Sequence, residues 1–163
     1  MKGSGRKLLK RDALLMKGQT IVGRAFANLM RLVPKEYVEN FACGIPIETE
    51  LKDGNRKFCP DITFYNLCEN QDGKDDLIDL LFVMDFVRNT DEKLSAETIK
   101  GIFKCEPALV EVFLYNFEKE TWTRFAQKDG KIVPENTSYS LTFKCDIASV
   151  VEYGSCGKSF LKL

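Results

Sequence analysis

Two aspartates stand where their neighbours make a carboxylate expensive. Asp61 lies in "CPDITFYNL", residues 59–67, and Asp85 in "LLFVMDFVRN", residues 80–89, each a run dominated by apolar side chains. A charge in such surroundings is costly unless something holds it. If both runs are strands and lie side by side, the acids converge, and convergent carboxylates suit a hard, oxygen-preferring divalent cation. Each acid also has a plain structural alternative. Asp61 follows Pro60 and can bond nearby backbone amides at a turn; Asp85 can pair with Arg88 or Lys100.

The remaining inventory narrows the chemistry. The 163 residues contain no histidine, which removes imidazole-assisted nucleophiles and the commonest metal ligand. Six cysteines, at positions 43, 59, 68, 105, 145 and 156, are scattered without a CxxC pair. They are expected to be reduced, mostly buried thiols. What is left is carboxylate, lysine and tyrosine chemistry, which fits Mg2+ or Mn2+. "GSCGKS" at 154–159 ends like a phosphate-binding loop, but Glu152 stands where that loop needs its first glycine. "NTS" at 136–138 is an acceptor of sugar only in a secreted protein. The aromatic run Phe113, Tyr115, Phe117, Trp122 and Phe125 is read as core and cross-strand packing ahead of a base-stacking platform.

These residues need elements to position them. "GQTIVGRAFANLMRLV", residues 18–33, sets Ile21, Ala25, Leu29 and Leu32 at helical spacing, and Pro34 stops it. Residues 36–51 alternate apolar and polar in two pieces about Gly44 and Pro46, which reads as one bent strand or two, with "KDGN" as a turn. "ITFYN" after Asp61 is a strand, "ENQDGKDD" a loop, and Leu77 to Val87 a central strand. A helix follows in "NTDEKLSAETIKGIFKCEP", with Thr90 as a candidate cap. Val110–Phe117 and Thr121–Gln127 form a hairpin, Ser138–Phe143 a strand, and Asp146–Tyr153 a short helix. The order makes an α+β domain with a mixed central β-sheet flanked by helices.

Composition sets the outer bounds. With 44% hydrophobic residues, the chain supports one core, over 18–153, between a basic extension at 1–17 and a tail at 154–163. Lys plus Arg and Asp plus Glu are both 24, so no overall field draws nucleic acid and any such binding needs a local patch. No apolar stretch is long enough for a membrane span, and "ALLM" after the basic start is too brief for a signal-peptide core. A cytoplasmic protein with no membrane contact is expected.

The progression of helix, strands, "PDI", an apolar strand carrying an acid, helix and then "VEVFLYNFEKETWTRF" resembles the PD-(D/E)XK nuclease superfamily, in its Uma-type branch of restriction-endonuclease-like proteins. Pro60 and Asp61 match the first motif, Asp85 takes the second acid position, Phe103 falls where an aromatic is usual, and "LTFKCDIASVVEY" resembles the closing strand and helix. The resemblance implies a restriction-endonuclease-like core and a Mg2+- or Mn2+-dependent endonuclease acting on DNA. Asp61, Asp85 and the carbonyl of Phe86 would be the metal ligands. It also implies an assisting lysine, normally two residues past the second acid. Val87 occupies that place, so the lysine is sought on the following helix, at Lys100 or at Lys93. The histidine usual near the first helix is replaced by Gln19 or by nothing.

Three functions are therefore carried forward: a Mg2+-dependent DNA phosphodiesterase, a nuclease-like fold that binds or regulates without cutting, and an unrelated α+β interaction domain. A homodimer belongs to the first, because cutting both strands of a duplex is commonly shared between two subunits.

Overall fold

Ala25 and Leu29 are fully buried, with Ile21 and Leu32 half-buried beside them, so the helical spacing does give one buried stripe. The computed structural model describes residues 18–33, 35, 40–51, 54–69, 75–90 and 92–153. Within these, α1 covers 18–30. It is followed by β1 (Phe41–Ala42), β2 (Ile47–Leu51), β3 (Gly54–Phe58), β4 (Ile62–Glu69), β5 (Asp75–Val87) and α2 (Glu92–Cys105). Then come β6 (Glu111–Asn116), β7 (Thr121–Lys128), β8 (Lys131–Glu135), β9 (Tyr139–Ser140), β10 (Cys145–Asp146) and α3 (Ile147–Tyr153).

Six strands make one sheet in the order β1-β4-β5-β6-β7-β8. Its neighbours are antiparallel except β5 and β6, which run parallel with α2 as the crossover between them. The protein is thus an α+β fold with a mixed central sheet flanked by helices. Among the described residues no helix is long and apolar enough to cross a membrane.

The sheet separates two apolar layers. Phe82, Met84 and Phe113 pack with α1, Phe143 and the α3 residues Ile147, Val150 and Val151. Val83, Val87, Val112 and Leu114 pack with Ile99, Ile102 and Phe103 of α2. Alternation along β5 assigns the faces, since successive side chains of a strand point to opposite sides. Phe64 pairs with Phe82 and Tyr65 with Leu80, so Leu81 is a bulge, and Leu80 and Val83 both reach the α2 face.

Several boundaries differ from expectation. Residues 36–51 give two strands, β1 in the main sheet and β2 in a separate ribbon with β3, and Thr49 Oγ1 of that ribbon donates to Thr98 O of α2 at 2.9 Å. β3 and β8 carry little strand signal in their own residues. "GNRKF" has no apolar alternation, and Pro134 argues against a strand unless it lies on a sheet edge, where β8 is. The expected loop at 69–76 is shorter, because Cys68 pairs with Asp76 and Glu69 with Asp75.

The strand expected over 138–143 stops at Ser140, and residues 141–144 form a turn. Its cause is the fully buried carboxylate of Glu111 on β6. That group accepts hydrogen bonds from Ser140 Oγ, from Leu141 N at 2.8 Å and from Thr142 N at 2.9 Å, which pulls three donors onto one point. The cysteines also depart from a mostly buried set. Cys43 and Cys59 are exposed, Cys105 is half-buried and Cys145 buried, all as free thiols, because 43 and 59 fall in the bends flanking β1 and β4. Cys68 and Cys156 lie outside the residues whose side chains are described.

Candidate metal centre

The β4–β5 ladder ends at the pair Ile62 and Met84. Continued one step further, the same register would set Asp61 opposite Asp85, and the bond from Phe86 N to Asp61 Oδ2 keeps the two strand ends together there. Asp85 lies between Val83 and Val87 and therefore points to the α2 side of the sheet, and a directly opposed residue shares that face. Both acids thus come to one place at the end of β5, beside its parallel neighbour β6. That end of a parallel pair is where open sheets commonly bind ligands.

The two carboxyls are in contact. Burial first, and then the negative charge and side-chain hydrogen bond of Asp61, push the Asp85 pKa from an ordinary 3.8 up to about 8. The backbone amides of Asp61 and Phe86 draw it partly back. Phe86 N donates to Asp61 Oδ2 at 2.8 Å, so the residue after Asp85 holds the other acid. Charge repulsion between close carboxylates is relieved either by a shared proton or by a cation. The amide that Asp61 accepts from is not a nearby one at its own turn but that of Phe86, 25 positions along the chain. For Asp85, among the described residues, the groups acting on the carboxyl are Asp61 and Phe86.

The Phe86 carbonyl faces the same edge. Val87 O accepts from Phe117 N on the β6 side at 3.3 Å, and backbone groups alternate between edges along a strand, so those of Phe86 turn toward β4. Two carboxylates and one main-chain carbonyl are an all-oxygen donor set, which fits Mg2+ or Mn2+ with water in the remaining positions. Among the described residues, no cluster of three or more His, Cys, Asp or Glu side chains is placed to hold a metal, so side chains alone supply at most these two ligands.

Lys100 is exposed on α2, while Lys93 lies outside the residues whose side chains are described. Val87 is buried against Ile99 and Ile102, so the position two past Asp85 belongs to the core.

Some neighbours were not visible in the sequence. Cys43, exposed but with its sulfur partly covered, lies close enough that burial and then the Asp61 charge raise its pKa. Gly44 N donates to Pro60 O at 3.1 Å, tying the Cys43 bend to the Pro60–Asp61 bend. Past the strand ends, Asn116 Nδ2 donates to Asn89 Oδ1 at 3.0 Å, and Asn89 N to Glu118 Oε2 at 2.9 Å. These bonds clasp the loops after β5 and β6. The cysteine could have been found only by continuing the β1–β4 pairing past Ala42 and Thr63, a register no composition reveals.

The aromatic run behaves as packing. Tyr115 and Trp122 stack with centroids 4.4 Å apart, and Phe86 meets Tyr115 edge-on at 5.8 Å. No protein-family model matches the chain, and no curated protein matches it.

Proposed function

We propose that the protein is a Mg2+- or Mn2+-dependent phosphodiesterase acting on DNA, with a restriction-endonuclease-like core. The observation that carries this reading is the meeting of Asp61 and Asp85 across the end of the β4–β5 ladder. Support also comes from the order of elements: a helix, strands, the Pro60–Asp61 bend leading into β4, the Asp85 strand β5, α2 and then the β6–β7 hairpin follow the progression on which the resemblance to the PD-(D/E)XK superfamily rests. Asp61, Asp85 and the Phe86 carbonyl would hold the ion. When bound, it supplies charge to neutralise a phosphate and to acidify a coordinated water. Asp61 is oriented through the Phe86 amide, and Asp85 would release its proton to solvent when a cation binds. Lys100 or Lys93 would assist from α2. Cutting both strands would engage a homodimer.

A second reading has its own observation. Val87 is buried where the general motif has its lysine, which favours a nuclease-like module that holds a cation and DNA without cutting. One experiment orders the readings. Mg2+ and Mn2+ titrations by calorimetry, run on the parent and on Asp85→Asn, should give uptake only in the parent. Nicking of supercoiled plasmid by the parent and not by the variant then selects the enzyme; uptake without nicking selects the binding module. A parent that takes up neither ion, even with DNA present, sinks both.

A further inference from the structure

Pro60 is buried and directly precedes Asp61 of the acid pair. Continued by one regular step beyond Asp61 and Asp85, the ladder sets Pro60 opposite Phe86. In an antiparallel ladder such a pair exchanges two hydrogen bonds, one from each amide. Proline has no N–H, so the bond that would cover the Phe86 carbonyl cannot form. The reciprocal bond is missing too, because Pro60 O is turned toward Gly44 N and the Phe86 amide donates to Asp61 Oδ2.

We propose that Pro60 is a positioning residue for the acid pair. By ending the β4–β5 ladder at Ile62 and Met84, it assigns both backbone groups of Phe86 to the site, the amide to Asp61 Oδ2 and the carbonyl to a divalent cation between the carboxylates. The proposal rests on the cation reading above. It gives the dipeptide Pro60–Asp61 one physical logic: the first residue withholds a donor, and the second supplies an acceptor in place of the ladder.

The probe is Mg2+ itself, titrated into the full chain by calorimetry, with amide hydrogen exchange measured alongside. Pro60→Ala and Pro60→Gly both supply the missing N–H, and each allows the single added bond from that N–H to the Phe86 carbonyl. Competition for one carbonyl at the strength of a single hydrogen bond predicts about tenfold weaker Mg2+ binding. It also predicts slowed exchange of the new amide at position 60. Loss of packing at a buried proline would lower the melting temperature and leave that amide unprotected, so the exchange readout separates the two roles. Mg2+ uptake abolished by Asp85→Asn and untouched by both Pro60 variants overturns this proposal alone. No Mg2+ uptake by the parent overturns it together with the cation reading.

Discussion

Asp85 carries its proton more tightly in the native protein than in the unfolded chain, because burial and the neighbouring Asp61 both oppose its charge. The consequence for stability has a definite sign. A carboxyl whose folded pKa is raised contributes fully below its unfolded value near 3.8, and the contribution fades as pH rises toward its folded value of about 8. One unit of displacement corresponds to about 1.4 kcal/mol, so even part of this shift is measurable. Asp85→Asn keeps the shape and removes the titration. Thermal melts across about pH 4 to about pH 9 without divalent cation should show the parent losing stability and the variant holding level, with the variant the more stable near pH 8. Added Mg2+ should then raise the melting temperature of the parent alone, since only a site that binds the native state stabilises it. Parallel pH profiles for the two proteins would show that the acid pair exerts no strain. The sequence made these two acids legible, because each is a lone carboxylate in an apolar run. It did not make their amide donor legible, because Phe86 faces Asp61 only through a register between strands.

At the level of elements, the same divide between local and long-range information recurs. α1 was readable from Ala25 and Leu29, and α2 and β5 from the patterns of their own residues. The segment 138–143 departs from its β-forming composition because Glu111, about thirty positions earlier in the chain, overrides it. That carboxylate is wholly buried and collects a hydroxyl and two amides, so it fixes where β9 ends and where the turn toward α3 begins. Glu111→Ala leaves the buried Ser140 hydroxyl and the two part-buried amides without their acceptor and should cost about 2–3 kcal/mol in urea unfolding. Glu111→Gln retains one acceptor oxygen and should cost clearly less. Hydrogen exchange at Leu141 and Thr142 reports the local event: both amides should lose protection in the alanine variant under conditions where β6 and β7 stay protected. Unchanged protection would mean the turn holds itself without the carboxylate.

For the molecule as a whole, the sheet divides labour between its faces. The acid pair lies on the α2 side with Val83 and Val87, whereas the large aromatic cluster lies on the other. Phe143, from the closing segment, packs edge-on against Phe82 of β5 at 5.0 Å and against Phe64 of β4 at 5.4 Å. It lies 5.8 Å from Phe41 of β1, stacked. The last part of the domain therefore seals strands laid down much earlier in the chain, a closure that local pattern could not announce. Phe143 is 2% exposed, so truncation leaves a cavity that the surrounding rings cannot fill. Phe143→Ala should cost about 3–5 kcal/mol. Because Ile147, Val150 and Val151 of α3 share this cluster, the loss should appear as one cooperative transition shifted to lower urea, and not as separate release of the closing segment. Since no atom of the acid pair is on that face, the variant should bind Mg2+ with the parent's affinity at temperatures where it remains folded. Coincident fluorescence and circular-dichroism transitions, together with an unchanged Mg2+ titration, would establish that stability and the site occupy opposite faces of one sheet. A weakened titration at full foldedness would instead mean that packing behind β4 and β5 sets the distance between Asp61 and Asp85.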